Sequence, residues 1–364
     1  MNNNDETMLD ENQSNTLVKR CPNCGGLPGY DIASGKLVCA HCNFSQDIES
    51  DDKVQRRQLT DEIKRSKRTW DEGTVFRCTQ CGVKEVLTQK DITRRCAFCG
   101  NSNIVSANEL SGIKPDSLIP FKIDIERARN IFRKWINSKW LAPRMFKTYD
   151  IREHMNALYC PSWAFTSNVI GTYNGTFGRR VTTKTRGANG QMITRTQINY
   201  FNASGNMSLN YTDHIVQSSD RIAPIVFNTL KPFDLKEIRA YRTEFITGIV
   251  TEHYTKELET CFNEFSNFIR SDLRRRIMQK HNADTVQRLN LNTNFQSKQF
   301  NYILLPLYIS NYNYKNKTYN FFINGVSGKI VGKYPKSKPK MFFLFLGIGI
   351  LVAGALGLIY YLST

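Results

Sequence analysis

The chain has 364 residues, with 50 Lys and Arg against 32 Asp and Glu for a formal charge of +18, and 40% of its residues are hydrophobic. That length allows two or three folded units, and the hydrophobic content excludes wholesale disorder. Ten cysteines are too few for a disulfide-dense secreted scaffold, and only the location of the positive charge decides whether it signifies nucleic acid. In chain order, residues 1–18 are polar and acidic without an apolar core, so a disordered tail and no secretory signal are expected there.

Eight cysteines form one pattern used twice. Cys21-Pro-Asn-Cys24 is followed by Cys39-Ala-His-Cys42, and Cys78-Thr-Gln-Cys81 by Cys96-Ala-Phe-Cys99. Both sets read C-x2-C-x14-C-x2-C, and each cysteine recurs at an offset of 57. One C-x2-C turn offers two thiolates, and two facing turns complete the tetrahedron that Zn²⁺ favours, with bonds of about 2.3 Å. Gly25, Gly82, Gly100 and Asn43 follow the four pairs and tolerate the left-handed backbone of such a knuckle. The metal ligands are therefore Cys21, Cys24, Cys39 and Cys42 in one zinc ribbon (19–46), and Cys78, Cys81, Cys96 and Cys99 in another (73–104). Four thiolates leave no open position, so both zincs are structural, and modules this small need them to fold. Chelation is expected to unfold residues 19–104 and leave the rest folded. Iron in a rubredoxin-like site is the alternative metal; disulfides would need an oxidising compartment. His41 reads as a surface residue beside an already saturated metal.

Between the ribbons, residues 47–72 are densely charged and read as a solvated linker helix. Residues 105–335 then form a mixed α+β domain. Ile125, Ala128, Phe132, Trp135 and Ile136 follow helical spacing, with Asp124 as a cap and Pro143 as the stop. From Ala157 to Tyr211 the β-branched and aromatic residues with interspersed glycines predict antiparallel strands, with a hairpin turn at Asn189-Gly190. Leu258, Cys261, Phe262, Phe265, Phe268, Ile269, Leu273 and Ile277 make one helical stripe that places Cys261 in the core, and Arg270, Arg274, Arg275, Arg276 and Lys280 complement that helix's C-terminal dipole. Strands return from Tyr302 to Tyr334, with turns at Asn324-Gly325 and Ser327-Gly328. Tyr159-Cys-Pro161-Ser-Trp163 and Leu305-Pro306-Leu-Tyr308 share a Pro-x-aromatic core, either a weak internal repeat or chance.

Residues 341–362 contain no charge, and as a helix they would cover about 33 Å, enough for the hydrocarbon core of a membrane. A buried core helix is the alternative, but such helices rarely lack every polar position. Lys333 lies upstream, and Lys336, Lys338 and Lys340 occupy the basic juxtamembrane segment 336–340. The positive-inside rule then places the N-terminal bulk in the cytoplasm of a single-pass protein of the cell membrane, with Tyr360 and Tyr361 at the far interface. Gly349, Ala353 and Gly357 share one face, on which a partner transmembrane helix would pack closely; the alternative is that small residues are simply common in membrane helices.

No Walker A loop, H-E-x-x-H, G-x-S-x-G or dinucleotide fingerprint occurs. Cys160, His154, His214 and His253 are isolated residues of types that are usually structural, so no catalytic residue and no enzyme is expected. The charge is lopsided: residues 1–110 carry a net −1, about −5 once each four-thiolate zinc site adds −2, whereas residues 111–364 carry +19. Nucleic-acid readers put a basic face on the reading module, and here the ribbons are acidic while the basic half adjoins the membrane. An adaptor docking cytosolic proteins beside an anionic lipid surface is therefore preferred to a tethered nucleic-acid binder.

Several strings together identify a resemblance. They are C-P-x-C-G with a second paired ribbon, Ile119-Pro120-Phe121-Lys122, Trp135 with Lys139-Trp140-x-Ala142-Pro143, and Tyr159-x-Pro161-x-Trp163, followed by Leu304-Leu305-Pro306, Tyr319, and Asn324-Gly325-x-Ser327-Gly328-Lys329. With the Lys-rich stretch before the span, the chain resembles the TFIIB-type zinc-ribbon membrane proteins of Gram-positive bacteria over nearly its whole length. Such proteins are often labelled primosomal helicase-like through the ribbons alone, and no nucleotide motif supports a helicase here. The resemblance implies, for some relatives, a membrane anchor for envelope-stress scaffolds of the phage-shock-protein-A or flotillin-like type. The chain departs from the pattern at Tyr308, where Trp is expected, and at Asn43, where Gly is expected; neither is a metal ligand.

Overall fold

The protein is described by a computed structural model over residues 20–49, 54, 56–60, 74–87, 95–102, 104–106, 112–148, 155–186, 191–315 and 317–363. The tail over 1–18, most of the expected linker helix, and the Asn189-Gly190 turn lie outside these residues.

The first cysteine module has its own antiparallel sheet of β1 (Pro28–Asp31), β2 (Lys36–Cys39) and β3 (Ser45–Gln46). Where a linker helix is expected, Arg57–Gln58 is instead a short strand, β4, laid against Gln299 and Phe300. Arg57 is held there by an ion pair to Asp116 at 2.7 Å and by the Phe300 ring beneath its guanidinium. The second module contributes β5 (Thr74–Cys78), β6 (Lys84–Leu87) and β7 (Ile104–Ser106). The body continues with β8 (Ser117–Leu118), α1 (Ile125–Asn137), α2 (Arg144–Lys147), β9 (Met155–Arg186) and β10 (Met192–Gln217). Next come α3 (Pro224–Leu230), β11 (Arg239–Ala240), β12 (Val250–Glu252) and α4 (Leu258–Lys280). The chain ends with β13 (Thr285–Phe295), β14 (Gln299–Tyr314), β15 (Lys317–Asn324), β16 (Ile330–Gly332) and α5 (Lys338–Ser363).

β9 is the spine. Along one edge it pairs with β14 and then β13; along the other it pairs with β12 and then β10. From Leu158 to Phe165 it is buried on both faces, and alternate residues enter different cores. Tyr159, Trp163 and Phe165 join Phe300, Tyr302 and Tyr308 beneath α1 and α4. Leu158, Cys160 and Ala164 join Ile303, Leu305, Leu307 and α3 on the opposite face. The period of two thus builds a three-layer body around one sheet.

Pro161 and Pro306 lie nearly opposite each other in the middle of β9 and β14, with Pro306 facing Tyr159 and Pro161 facing Leu304. Proline lacks an N–H and is usually confined to sheet edges. Both fall where a strand changes its second neighbour. β9 passes from β12 to β10 between Tyr159 and Ser162, and β14 passes from β8 to β15 between Leu304 and Leu307. The missing donors therefore cost no ladder bond, while the carbonyls accept from Ser218 and Gly325.

α1 begins as its sequence predicts, with the Asp124 carboxylate accepting the Arg127 N–H at 2.7 Å, and it buries Ala128, Phe132 and Ile136. α4 lays its stripe on the sheet, with Phe265 stacked on Phe165 at 5.2 Å. Gly171 lets it approach, since a Cβ there would meet Leu273 at 3.1 Å. Phe268 departs from the expected stripe: it is exposed and stacks on the His214 ring.

Candidate metal centres and the apolar helix

The two cysteine sets are built from four copies of one knuckle. In each, the N–H of the residue after the pair donates to the first cysteine's carbonyl: Gly25 to Cys21, Asn43 to Cys39, Gly82 to Cys78 and Gly100 to Cys96, at 2.8–2.9 Å. These four residues have φ of 72°, 57°, 72° and 74°, so the Gly/Asn/Gly/Gly pattern is a backbone requirement. Facing knuckles bring Cys21 and Cys42 Sγ to 3.6 Å, Cys24 and Cys39 to 3.4 Å, and Cys78–Cys99 and Cys81–Cys96 to 3.6 Å. Within each set all four sulfurs lie within 4.8 Å of one another, and every cysteine is free. A disulfide requires about 2.05 Å. A tetrahedron with bonds of about 2.3 Å has edges of about 3.8 Å, close to what the sulfurs show. All eight sequence-predicted ligands are thus placed in two tetrads positioned to bind a metal ion.

The tetrads differ in their surroundings. At the first, Cys24 and His41 are exposed, and Gly26 leaves the space His41 needs: a Cβ there would meet the imidazole at 2.8 Å. The positions 57 residues on are Val83 and Phe98, both buried in the core shared with Leu158, Ile303 and Leu305. Because β6 also pairs with β12, the second tetrad is an extension of the main sheet. In both sets the thiols are split. Backbone N–H groups lower Cys39 and Cys42 while, against the Gly26 N–H, shared hydrogen bonds among the sulfurs raise Cys24; in the second set, against burial, hydrogen bonds lower Cys78. Burial instead pushes Cys99 up to about 11 and raises Cys96 further, Glu85 adding to the latter. Loading either tetrad therefore expels protons, and in the second they leave the buried Cys96 and Cys99 thiols.

Sequence reasoning missed the side chains that brace this second tetrad. Glu85 Oε1 accepts the Ala97 N–H at 3.2 Å and lies 3.6 Å from Cys96 Sγ, and Asn311 Nδ2 donates to the Ala97 carbonyl at 3.2 Å. Glu85 occupies the position of Pro28 in the first module, but little besides the cysteines recurs at the 57-residue offset, so the difference carried no signal. Outer groups of this kind orient metal ligands.

The residues considered for nucleophilic chemistry are dispersed. Cys160 is fully buried and its thiol is raised by that burial, opposite to what a reactive thiolate needs. Cys261 lies on the buried face of α4 in the other core, as expected. His214 stacks on Phe268 and His253 on Tyr254, and burial lowers both to about 4; His154 lies outside the described residues. At the C-terminus, Lys338–Leu362 forms a 25-residue helix whose apolar stretch of 18 residues has a mean hydropathy of 2.6 and is not buried at all, long and apolar enough to cross a membrane. Gly349 and Gly357 have open space where a side chain would stand, and Ala353 between them is exposed.

No model of a protein family matches the chain, and no solved structure matches it. A protein of Bacillus subtilis (strain 168) described as "Uncharacterized protein YdjG" is 28% identical over 334 residues, covering 90% of this chain and 93% of that protein.

Proposed function

We propose that the protein is a non-enzymatic, membrane-anchored zinc-ribbon adaptor that recruits or regulates cytosolic proteins at the inner face of the cell membrane. The observation that supports it most is the pairing of an apolar helix left entirely unburied with a first cysteine module that keeps its own sheet and an exposed rim. The four lysines from Lys333 to Lys340 support a cytoplasmic body, and closed four-thiolate tetrads suit structural Zn²⁺. A cavity of about 200 Å³ beside the first module, lined by Pro28, Leu37, Phe44, Ile48 and Arg242, offers a place for a partner's side chain. On this reading the chain belongs with the TFIIB-type zinc-ribbon membrane proteins, and its partner is a phage-shock-protein-A or flotillin-like scaffold acting in envelope stress. Gly349, Ala353 and Gly357 would seat a partner helix within the bilayer. Cross-linking in intact membranes, comparing wild type with Cys39→Ser, tests the adaptor. A cytosolic partner lost from the variant is expected; an unchanged set of cross-links sinks the proposal.

A second reading, nucleic-acid binding, gains support from a feature outside the ribbons. Beyond Gly178 and Tyr200, β9 and β10 continue as a two-stranded ribbon bearing exposed Arg180, Lys184, Arg186 and Arg195 and no described acidic residue. A basic two-stranded ribbon fits the major groove. Binding of duplex DNA by the detergent-solubilised chain, with a steep salt dependence that Arg180→Glu with Lys184→Glu flattens, would favour it.

A further inference from the structure

The apolar helix does not hang from the body on a free tether. Lys340, the last charged residue before the apolar run, directs its ammonium to the carbonyls of Trp140 at 2.8 Å and Ala142 at 2.9 Å. Ser337 N–H donates to the Leu141 carbonyl at 2.8 Å, and Met341 N–H continues the helix back to Ser337. The segment 140–142 is therefore clamped to the first turn of the helix. Whatever depth that turn occupies, Trp140 occupies nearly the same.

The surface around this clamp is unusual for one that faces only water. Trp140 is 56% exposed and Met145 is 65% exposed, while Ala142 and Phe146 between and beside them are buried. The outward apolar side chains are thus fixed by packing of their neighbours. From Arg127 to Thr148 the chain holds seven Lys or Arg and no Asp or Glu, and from Lys333 to Lys340 four more Lys with no acid. Arg133, Lys134 and Arg144 are exposed on α1 and α2, and Lys333, Lys336 and Lys338 are exposed beside the helix start. Exposed Trp and Met amid basic residues, at the mouth of an apolar helix, match the headgroup layer of an anionic leaflet, where indole rings settle and cations meet phosphates.

We propose that Trp140 and Met145 insert into the headgroup layer of the leaflet through which α5 enters, with Arg133, Lys134 and Arg144 contacting anionic lipid. This docks the body in one orientation and sets the distance of both cysteine modules from the membrane. The inference rests on α5 spanning the bilayer. The occupant is the lipid surface, because the clamp joins this patch to the helix that enters it.

The test uses the full chain reconstituted in vesicles of phosphatidylcholine with phosphatidylglycerol, with brominated lipids carrying the bromines shallow or deep. Shallow bromines are expected to quench part of the tryptophan fluorescence, and Trp140→Phe to remove that part while Trp135→Phe and Trp163→Phe retain it. Met145→Ser and the pair Arg133→Glu with Arg144→Glu should each weaken the quenching, as should omission of phosphatidylglycerol. Unchanged quenching in Trp140→Phe, or no shallow quenching in vesicles from which alkali fails to extract the chain, overturns the docking alone. Extraction by alkali overturns the spanning helix and the docking with it.

Discussion

Glu252 lies directly opposite Glu85 where β12 pairs with β6, and both side chains are buried. Glu252 Oε1 takes the Ser219 hydroxyl at 2.5 Å, while Glu85 holds the backbone between Cys96 and Cys99. Two carboxylates on one rung of a buried ladder resist carrying two charges. Burial, reinforced by Glu85, pushes Glu252 up to about 8 against the partial opposition of Ser219 and Arg221. The folded chain therefore holds a proton that the unfolded chain releases from about 4.5 upward, and stability falls as pH rises between those values. His214 and His253, lowered to about 4, act in the opposite sense up to their ordinary 6.5. Between pH 6.5 and 8 the metal-loaded protein should lose about 2 kcal/mol of stability in urea unfolding, and Glu252→Gln should abolish that loss. Equal losses in both proteins would remove Glu252 as the cause.

Metal removal should affect the two modules unequally. Cys78 and Cys96 share a core with Leu158, Ile303 and Leu305, whereas the first module's cysteines lie outside that core and their module meets the body through Tyr30, packed on Phe245. Loss of the second site is therefore felt through β6 and β12 by the main sheet, beyond the residue 19–104 region that sequence alone would confine it to. Cys96→Ser is expected to lower the main thermal midpoint by about 10 °C or more, and Cys39→Ser, whose module touches the body chiefly through Tyr30, to lower it by less. Calorimetry with metal content measured on the same samples decides this.

What was legible in the sequence depended on how local the cause was. The knuckles are local: a cysteine pair plus one residue at positive φ dictates the turn, so the grouping of all eight cysteines into two sets of four is written in the sequence. The same holds for Asp124 capping α1 and for the uninterrupted apolar run of α5. The fusion of the second module with the main sheet was not legible, because it depends on Glu252 finding Glu85 across 167 positions of chain. Likewise the Pro161 and Pro306 strings could be seen to match, but their near-opposition at two changes of strand partner is a property of register alone.

The packing face of α4 can be tested by two substitutions on neighbouring turns. Phe265 is fully buried against Phe165, while Phe268 is exposed on His214. Phe265→Ala should cost about 3–5 kcal/mol in urea unfolding, because the space it leaves cannot collapse between helix and sheet. Phe268→Ala should cost no more than about 1 kcal/mol, since little apolar area leaves water there. Similar costs would mean that the helix face is rotated from the one described.

The outer ribbon of β9 and β10 should be dispensable for folding. The pairing of β13 with β9 begins at Gly178, so among the described residues Val181–Arg186 and Met192–Gln197 pair only with each other, and nearly all their side chains are exposed. An isolated two-stranded ribbon is marginal in water and adds little to the body beneath it. Replacing residues 181–197 by a short turn should leave the unfolding free energy within about 1 kcal/mol of wild type. Limited trypsin should cut the intact protein first after Lys184, Arg186 or Arg195, where the backbone bonds are those of a lone pair of strands. A large loss of stability would show that the ribbon packs on something. If stability is unchanged while DNA affinity disappears, the basic ribbon is a binding arm and the nucleic-acid reading overtakes the adaptor.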